Sequence, residues 1–327
     1  MTDLSSLSLF SYQLLILLCV MLSKGVISHF VAHEPLRFFQ FYCQTLSNKV
    51  NKTTNSSRQQ TIAGFIAIVI TLAPIVVILW LFEAFIEVEF LWQCFLLYLA
   101  MGSFGLSSIN KAIAQAIVAK QNYLAKQTLN PKVLRETEAL SSLGLSKAAI
   151  EMKLLRTLQQ GYAVGVIFLI AGPLLALTFR LLLEMHYCWN TKLEKFNHFG
   201  QYSKIFVSLL QWLPVRIFSL LVLFTSIGQN FWLFWRLSKK HFFQLDNNIA
   251  LLLLALSLEV RLGGVAIYSA TDGSHQKLRK TSFNDLARQP QVTDIIHANS
   301  KINYLVFFSV LLLILSAIGI ELVFANI

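Results

Sequence analysis

Long apolar runs alternate with polar and mostly basic segments along the whole chain. The hydrocarbon core of a bilayer is about 30 Å thick, so a helix needs about 20 apolar residues to cross it. Four runs meet this length with little internal charge: 61–85, 160–183, 207–228 and 304–325. The pattern therefore predicts transmembrane helices as the main structural elements.

Three shorter apolar runs extend this prediction. The run 9–27 has no charge before Lys24, and the residues before it lack the basic segment of a signal peptide. We therefore expect a retained span with its N-terminus outside. The run 90–106 is a further candidate that can pair with 61–85 as a hairpin. The run 249–258 is too short to cross, so we expect it to be re-entrant, interfacial or buried against the bundle.

Composition agrees with a membrane protein. Hydrophobic residues make up 56% of the 327 residues and charged residues only 13%, about half the charged share of an average soluble domain. The net charge of +11 lies in the loops, where bilayer topology explains it better than nucleic-acid binding does. We therefore expect an all-α, polytopic transmembrane bundle of five to six spans in one domain, 1–327. Its other expected elements are cytoplasmic amphipathic or re-entrant helices, with the lipid bilayer as partner and no nucleic acid.

Loop charges predict the orientation. Cations cluster in three loops, which the positive-inside rule places in the cytoplasm: 25–60, 108–159 and 235–302. The acidic connection at Glu83, Glu87 and Glu89 then faces outward. The segment 186–204 carries three lysines yet falls outside if 160–183 is a single crossing. Alternatively, Gly172-Pro173 breaks that helix into a re-entrant pair and returns the segment to the cytoplasm.

Few residues suggest chemistry by themselves. The four cysteines have no paired spacing, and no nucleotide or metal motif is present, so we predict no metal site from the residues. Arg180 and Glu184 lie one helical turn apart and are expected to pair. Arg216 lies in an apolar stretch, where an unpaired guanidinium is costly, so we expect a partner, a cavity or an interfacial position.

Three segments together resemble a known family. They are Lys192-x-Glu194-Lys195-Phe196-x-x-x-Gly200, then Trp212-Leu213-Pro214-Val215-Arg216, then Val260-Arg261-Leu262-Gly263-Gly264 with Tyr268. Their order and spacing resemble adenosylcobinamide-phosphate synthase, the CbiB/CobD membrane family of cobalamin biosynthesis. The segment His33-Glu34-Pro35-Leu36-Arg37 is similar to a further motif of that family.

The resemblance implies an activity, cofactors and a site. The activity is the joining of a corrinoid carboxylate to aminopropanol phosphate at the expense of ATP, with Mg²⁺, in a bacterial inner (plasma) membrane. The implied ligand-binding residues are His33, Arg37, Glu194, Lys195, Arg216, Arg261, Gly263, Gly264 and Tyr268. We expect a convergence on one cytoplasm-facing cavity, with corrinoid as a possible partner, of Arg216, Arg261, Gly263, Gly264 and Tyr268 with Glu194 and His33.

The acids of that family are missing here. Read without gaps, Leu155, Gln159, Val207 and Ser208 stand where the family has carboxylates. Mg²⁺ prefers oxygen ligands, usually one or two carboxylates plus phosphates, and these side chains do not supply them. Glu151 and Asp246 are the nearby acids and are weak catalytic candidates. We therefore expect the family chemistry to be weakened or lost, as in a pseudoenzyme.

A second branch of the superfamily also lacks those acids. It comprises AmpE-like inner-membrane proteins linked to β-lactamase induction. Trp212-x-Pro214-Val215-Arg216 and Leu286-Ala287-Arg288-x-Pro290-x-Val292 resemble that branch. A non-catalytic AmpE-like sensor or regulatory protein is therefore the alternative hypothesis.

Overall fold

Twelve α-helices and one β-hairpin make up the described part of the chain. The computed structural model describes residues 8–30, 36–52, 54–102, 105–227, 231–269 and 275–325. The helices are α1 (Leu9–Phe30), α2 (Arg37–Val50), α3 (Ser57–Glu83), α4 (Glu89–Ala100), α5 (Leu106–Val118), α6 (Asn122–Leu129), α7 (Ser142–Arg156), α8 (Ala163–Cys188), α9 (Gln201–Phe224), α10 (Phe231–Ser238), α11 (Asn248–Ser257) and α12 (Val292–Ala325). The strands are β1 (Leu262–Ser269) and β2 (His275–Phe283).

Five helical segments are long and apolar enough to cross a membrane. They are Leu9–Ser28, Ser57–Glu83, Ser142–Cys188, Gln201–Phe224 and Val292–Val323. The third joins α7 to α8 through a π-helical turn, Thr157–Tyr162. These segments confirm the predicted all-α polytopic fold.

The sixth candidate span is shorter than its apolar run. Helix α4 ends at Ala100, and the Gly102 N–H then donates to the Gln160 carbonyl (2.8 Å), which ties the chain to the π-helical turn. At about 1.5 Å per residue, its 12 residues extend roughly 18 Å, less than the thickness of the hydrocarbon core.

Helix α8 folds back on itself at Gly172. This glycine has φ 80° and ψ 178°, a conformation open essentially only to glycine, and Pro173 follows it. The Tyr187 hydroxyl donates to the Gln159 carboxamide oxygen (2.9 Å) although 28 residues separate them. A straight helix would hold these residues about 42 Å apart. The chain therefore reverses direction within the run 160–183 instead of continuing as one straight helix, and the re-entrant topology stays a prediction.

Two hydrophobic cores lie along the molecule. The first, here called the bundle core, joins α1 to α4, α8, the first half of α9 and the later part of α12. The second core joins α5 to α7, the second half of α9, α11 and the start of α12. Helix α9 contributes Val207 to the bundle core and Val215, Phe218 and Val222 to the second core. It therefore passes from one core into the other.

Helix α11 and the β-hairpin belong to the second core. Ile249, Leu253 and Ala255 are fully buried, so of the three alternatives for 249–258, the buried segment matches the packing. The hairpin was not predicted. Gly263 and Gly264 have φ of 75° and 104° and lie at a bulge at the start of β1, not at a helix end.

Candidate functional site

A buried carboxylate joins α7 to the β-hairpin. Glu151 accepts a hydrogen bond from the Gly263 N–H (3.0 Å) and pairs with Arg135 (3.3 Å). Both side chains are buried, at 6% and 8% exposure. Each carboxylate oxygen thus has a protein partner, which satisfies the charge that burial would otherwise penalise.

Tyr268 completes this group beneath the hairpin. The Glu136 N–H donates to the Ile267 carbonyl (3.0 Å) and holds the loop after α6 against β1. Tyr268 is 2% exposed, and burial raises its pKa to about 12, with Arg135 opposing and Glu151 adding to the shift. The phenol therefore keeps its proton at ordinary pH.

Arg261 and Gly264 lie at the accessible edge of the same hairpin. Arg261 donates to the Ser282 hydroxyl (3.1 Å) and pairs with Asp285 (3.0 Å), and its side chain is 38% exposed. A Cβ added to Gly264 would meet no heavy atom within 4 Å, so this backbone position is open. A guanidinium beside open backbone is suited to holding an oxyanion.

Arg216 holds a loop rather than a ligand in this structure. Its guanidinium donates to the carbonyls of His241 (3.1 Å), Phe242 (2.6 Å), Gln244 and Asp246 (3.1 Å). Its exposure is 2%, and these carbonyls lie in the connection between α10 and α11. A buried guanidinium satisfied by backbone carbonyls stabilises that connection.

Asp246 lies in the same connection. Its carboxylate accepts hydrogen bonds from the backbone N–H of Asn248 (3.1 Å) and from the Asn248 side chain. These contacts lie at the start of α11, where a carboxylate satisfies otherwise free N–H groups and interacts favourably with the helix dipole.

Arg37 and Lys195 lie at α2. Lys195 donates to Asn48 (2.8 Å), and its carbonyl accepts from Asn51 (2.7 Å). Glu194 and Arg37 are exposed, and His33 lies outside the described residues. The predicted residues thus form three groups with separate partners: one at the hairpin, one at the α10–α11 connection and one at α2. Their ligand-binding roles stay predictions.

Carboxamide side chains cluster around Gln159, one of the positions where the resembled family has a carboxylate. Gln159 donates to Gln211 (2.9 Å) and accepts from Tyr187 (2.9 Å). Val207 is buried in the bundle core at 1% exposure. Gln159, Gln211 and Tyr187 therefore satisfy one another's hydrogen bonds without a charge. The carboxamide oxygen of Gln159 already accepts a hydrogen bond from Tyr187.

The donor set does not fit Mg²⁺. Within the part of the chain that the structure describes, no group of three or more His, Cys, Asp or Glu side chains could hold a metal ion. Glu151 and Asp246 are bound to separate elements, and Mg²⁺ needs its oxygen ligands in near-octahedral geometry. The described acids therefore do not form a Mg²⁺ site.

The sequence did not single out two cations that line a cavity. Lys153 and Arg156 lie three residues apart at the end of α7 and face a cavity of about 350 Å³ together with Gln160 and Asn303. In the sequence they count among the basic residues of 108–159. Their one-turn spacing next to an apolar run was the available signal.

This architecture defines a polytopic membrane protein. The family described as CobD/Cbib protein matches residues 19–300, so the chain belongs to that family.

Several curated relatives carry the name cobalamin biosynthesis protein CobD. The one from Chromobacterium violaceum is 28% identical over 205 residues, 63% of this chain and 66% of the relative. One from Leptospira interrogans is 26% identical over 200 residues, 59% of this chain and 61% of that protein. One from Stutzerimonas stutzeri is 25% identical over 235 residues, 72% and 76% respectively. The first two alignments span less than two thirds of each relative. No solved structure matches the chain.

Proposed function

We propose that this protein acts in cobalamin biosynthesis at a bacterial inner membrane and has little or no amide-forming activity of its own. The family resemblance supplies the reaction class, which joins a corrinoid carboxylate to aminopropanol phosphate with ATP. The observation that supports the loss is the engagement of Glu151, whose two oxygens bind Gly263 and Arg135.

Recruiting Glu151 as a ligand would be costly. Removing one partner of a buried ion pair typically costs about 3 to 5 kcal/mol, because the other charge is left uncompensated. Moving Glu151 away would leave Arg135 unpaired at 8% exposure and would release the hairpin from α7. Asp246 has no acidic neighbour in its described contacts, and its carboxylate accepts from the Asn248 N–H at the start of α11. The acids that remain thus stabilise the fold.

The hairpin edge remains able to bind a ligand. Arg261 is partly exposed, Gly264 leaves open backbone, and Tyr268 is a neutral donor beneath them. Corrinoid side chains include carboxylates and amides, which pair with guanidinium and backbone N–H groups. We therefore propose corrinoid binding at this edge without ligation.

Complementation tests the proposal. We expect expression in a strain lacking the synthase to give no growth on the corrinoid precursor, while the strain's own synthase restores growth. Purified protein assayed with corrinoid acid, aminopropanol phosphate, ATP and Mg²⁺ should give no amide above a protein-free control. Growth that is lost in Glu151→Gln or Asp246→Asn protein of normal abundance would contradict the proposal.

Corrinoid binding is measured separately from ligation. We expect the corrinoid absorption spectrum to shift on adding purified protein, and Arg261→Gln to weaken this binding about tenfold through loss of a charge-assisted hydrogen bond. The matched control is Arg236→Gln, a change in α10 away from the hairpin. Equal binding by both variants would exclude the hairpin edge as the corrinoid site.

A further inference from the structure

A lateral cavity opens between α12 and the junction of α7 with α8. Its volume is about 350 Å³, and α1 and α5 close its other sides. One wall is apolar, formed on α12 by Val306, Phe307 and Val310. Phe307 is 67% exposed, so this wall continues onto the outer surface of the bundle. The cavity is thus polar at one end, and its apolar wall is continuous with the outer surface of the bundle.

The polar end holds two cations. Lys153 is 4% exposed and donates to the Ser107 hydroxyl (2.8 Å). Arg156 donates through Nε to the Lys132 carbonyl (3.0 Å), and its guanidinium lies over the Tyr187 ring (5.7 Å). None of the described residues lining the cavity is acidic. Two partly desolvated cations without a carboxylate in the lining favour an anion.

An unpaired hydroxyl lies at the same end. Thr157 lines the cavity, and its Oγ1 is buried with no hydrogen-bond partner among the described residues. It begins the π-helical turn, a distortion that occurs frequently at functional sites. A buried hydroxyl without a partner is costly, and an oxyanion beside Lys153 would supply one.

The polar end lies one hydrocarbon thickness from the opposite end of the bundle. The Ser8 hydroxyl donates to the Glu321 carboxylate (2.7 Å), which fixes one end of α1 against α12. At about 1.5 Å per residue, the roughly 18 residues from Asn303 to Glu321 extend about 27 Å, and the roughly 16 residues from Ser8 to Lys24 extend about 24 Å. These lengths are close to the hydrocarbon thickness of about 30 Å. If Ser8 and Glu321 lie at one bilayer surface, these lengths place the two cations near the headgroups of the opposite surface.

We propose that this cavity binds a phosphate-bearing amphiphile. The phosphate lies beside Lys153, Arg156 and Thr157, and an apolar chain lies along Val306, Phe307 and Val310. Both a phospholipid and a soluble phosphate ester have the phosphate, and the apolar wall on α12 favours the ligand with a hydrocarbon chain. The proposal rests on the cavity alone and is independent of any role in cobalamin biosynthesis.

Native mass spectrometry of the delipidated, detergent-purified full chain tests both halves of the proposal. The probes are dioleoyl phosphatidic acid, dioleoylglycerol with the same chains and no phosphate, and glycerol 3-phosphate with no chains. We expect half-saturation by phosphatidic acid at a concentration at least about tenfold below that of either other probe. Equal retention of dioleoylglycerol would overturn the phosphate half. Equal binding of glycerol 3-phosphate would overturn the amphiphile half.

Substitutions of the lining residues test whether phosphatidic acid binds in this cavity. We expect Arg156→Gln and Lys153→Met each to weaken phosphatidic acid binding about tenfold, since each removes a charge-assisted contact. The matched control is Lys301→Met, a half-buried lysine of α12 that donates to the Ser257 carbonyl and does not line the cavity.

A conservative variant covers the case in which those proteins do not fold. Thr157→Val removes the unpaired hydroxyl at nearly constant volume, and we expect it to weaken phosphatidic acid binding about threefold while the melting temperature stays unchanged or rises. Unchanged binding in Thr157→Val, or equal losses in Lys301→Met and Arg156→Gln, would overturn the location.

Discussion

Two glycines let backbone segments touch where any side chain would prevent it. A Cβ at Gly64 would lie 2.0 Å from the Phe199 carbonyl oxygen, and a Cβ at Gly200 would lie 1.9 Å from the Trp189 carbonyl oxygen. Both distances are far below a van der Waals contact, and backbone oxygens do not move aside as side-chain ends do. These glycines therefore set how closely α3 and the start of α9 approach the segment after α8.

We expect Gly64→Ala to destabilise the protein by about 2 kcal/mol or more, because overpacking displaces backbone. The control is Gly319→Ala, where an added Cβ meets no atom within 4 Å. Thermal melting in detergent should show a clear drop for the first variant and little change for the second. Equal melting temperatures would mean that α3 and Phe199 are not in contact in the protein.

Local pairing was predictable from the sequence and long-range pairing was not. The one-turn spacing of Arg180 and Glu184 predicted their ion pair, which the structure confirms at 2.6 Å. For Arg216, the sequence indicated only that it needs a partner or an interfacial position. Its actual partners are backbone carbonyls 25 to 30 residues away, and carbonyls have no signature in a sequence. The separation of the predicted site residues into three groups was not predictable for the same reason, because it depends on partners that are distant in the sequence.

At the scale of elements, the break in α8 depends on one glycine. Gly172 has a backbone conformation that costs other residues about 1 to 3 kcal/mol. Pro173 cannot donate the hydrogen bond that would continue the helix. The sequence contained this signal, and the structure shows the break at Gly172.

We expect Gly172→Ala to lower stability by about 1 to 3 kcal/mol. The matched control is Gly165→Ala in the same helix, where an added Cβ makes only ordinary contact with Leu17 at 3.6 Å. Thermal melting compares the two. A Gly172→Ala protein as stable as the control would indicate that Gly172 does not hold a positive φ.

The sequence did not predict the β-hairpin, and the pattern of its residues explains why. In β1, Ala266 and Tyr268 are buried while Val265 is exposed, so the alternation of a strand is present. It covers few residues in a chain dominated by helical periodicity, and β2 is rich in polar residues. Two strands alone are marginally stable in water, and here α11 and α7 provide the surface on which they fold.

At the scale of the whole molecule, the fold-back of α8 bears on which side of the membrane each polar segment faces. It returns Cys188 to the end of the bundle where Gln159 lies, and α9 starts from there. The second half of α9 then packs in the second core with α7 and α11. The start of α9 thus lies at the end of the bundle where Gln159 lies, and the predicted topology keeps both ends of α9 on that side, although its length and composition would allow it to cross.

We therefore predict that Lys126, Lys192 and Lys240 face the cytoplasm and that Glu87 faces outward. The positive-inside rule supplies the direction. Single cysteines at these positions, in a variant without the four native cysteines, are labelled in intact cells with an impermeant maleimide. We expect labelling only at Glu87→Cys, and labelling of the other three only after lysis. Labelling of Lys192→Cys in intact cells would contradict the re-entrant topology.

Helix α12 contributes side chains to both cores, and this affects when the protein can fold during its synthesis. It places Ile295, Ala298 and Ile302 in the second core and Ala317 in the bundle core, and its Glu321 accepts from Ser8. During translation, every other described helix leaves the ribosome before α12. The apolar surfaces that α12 covers must therefore be shielded by lipid, the insertion machinery or chaperones until it arrives. A ribosome stalled before α12 therefore leaves a chain with two incomplete cores.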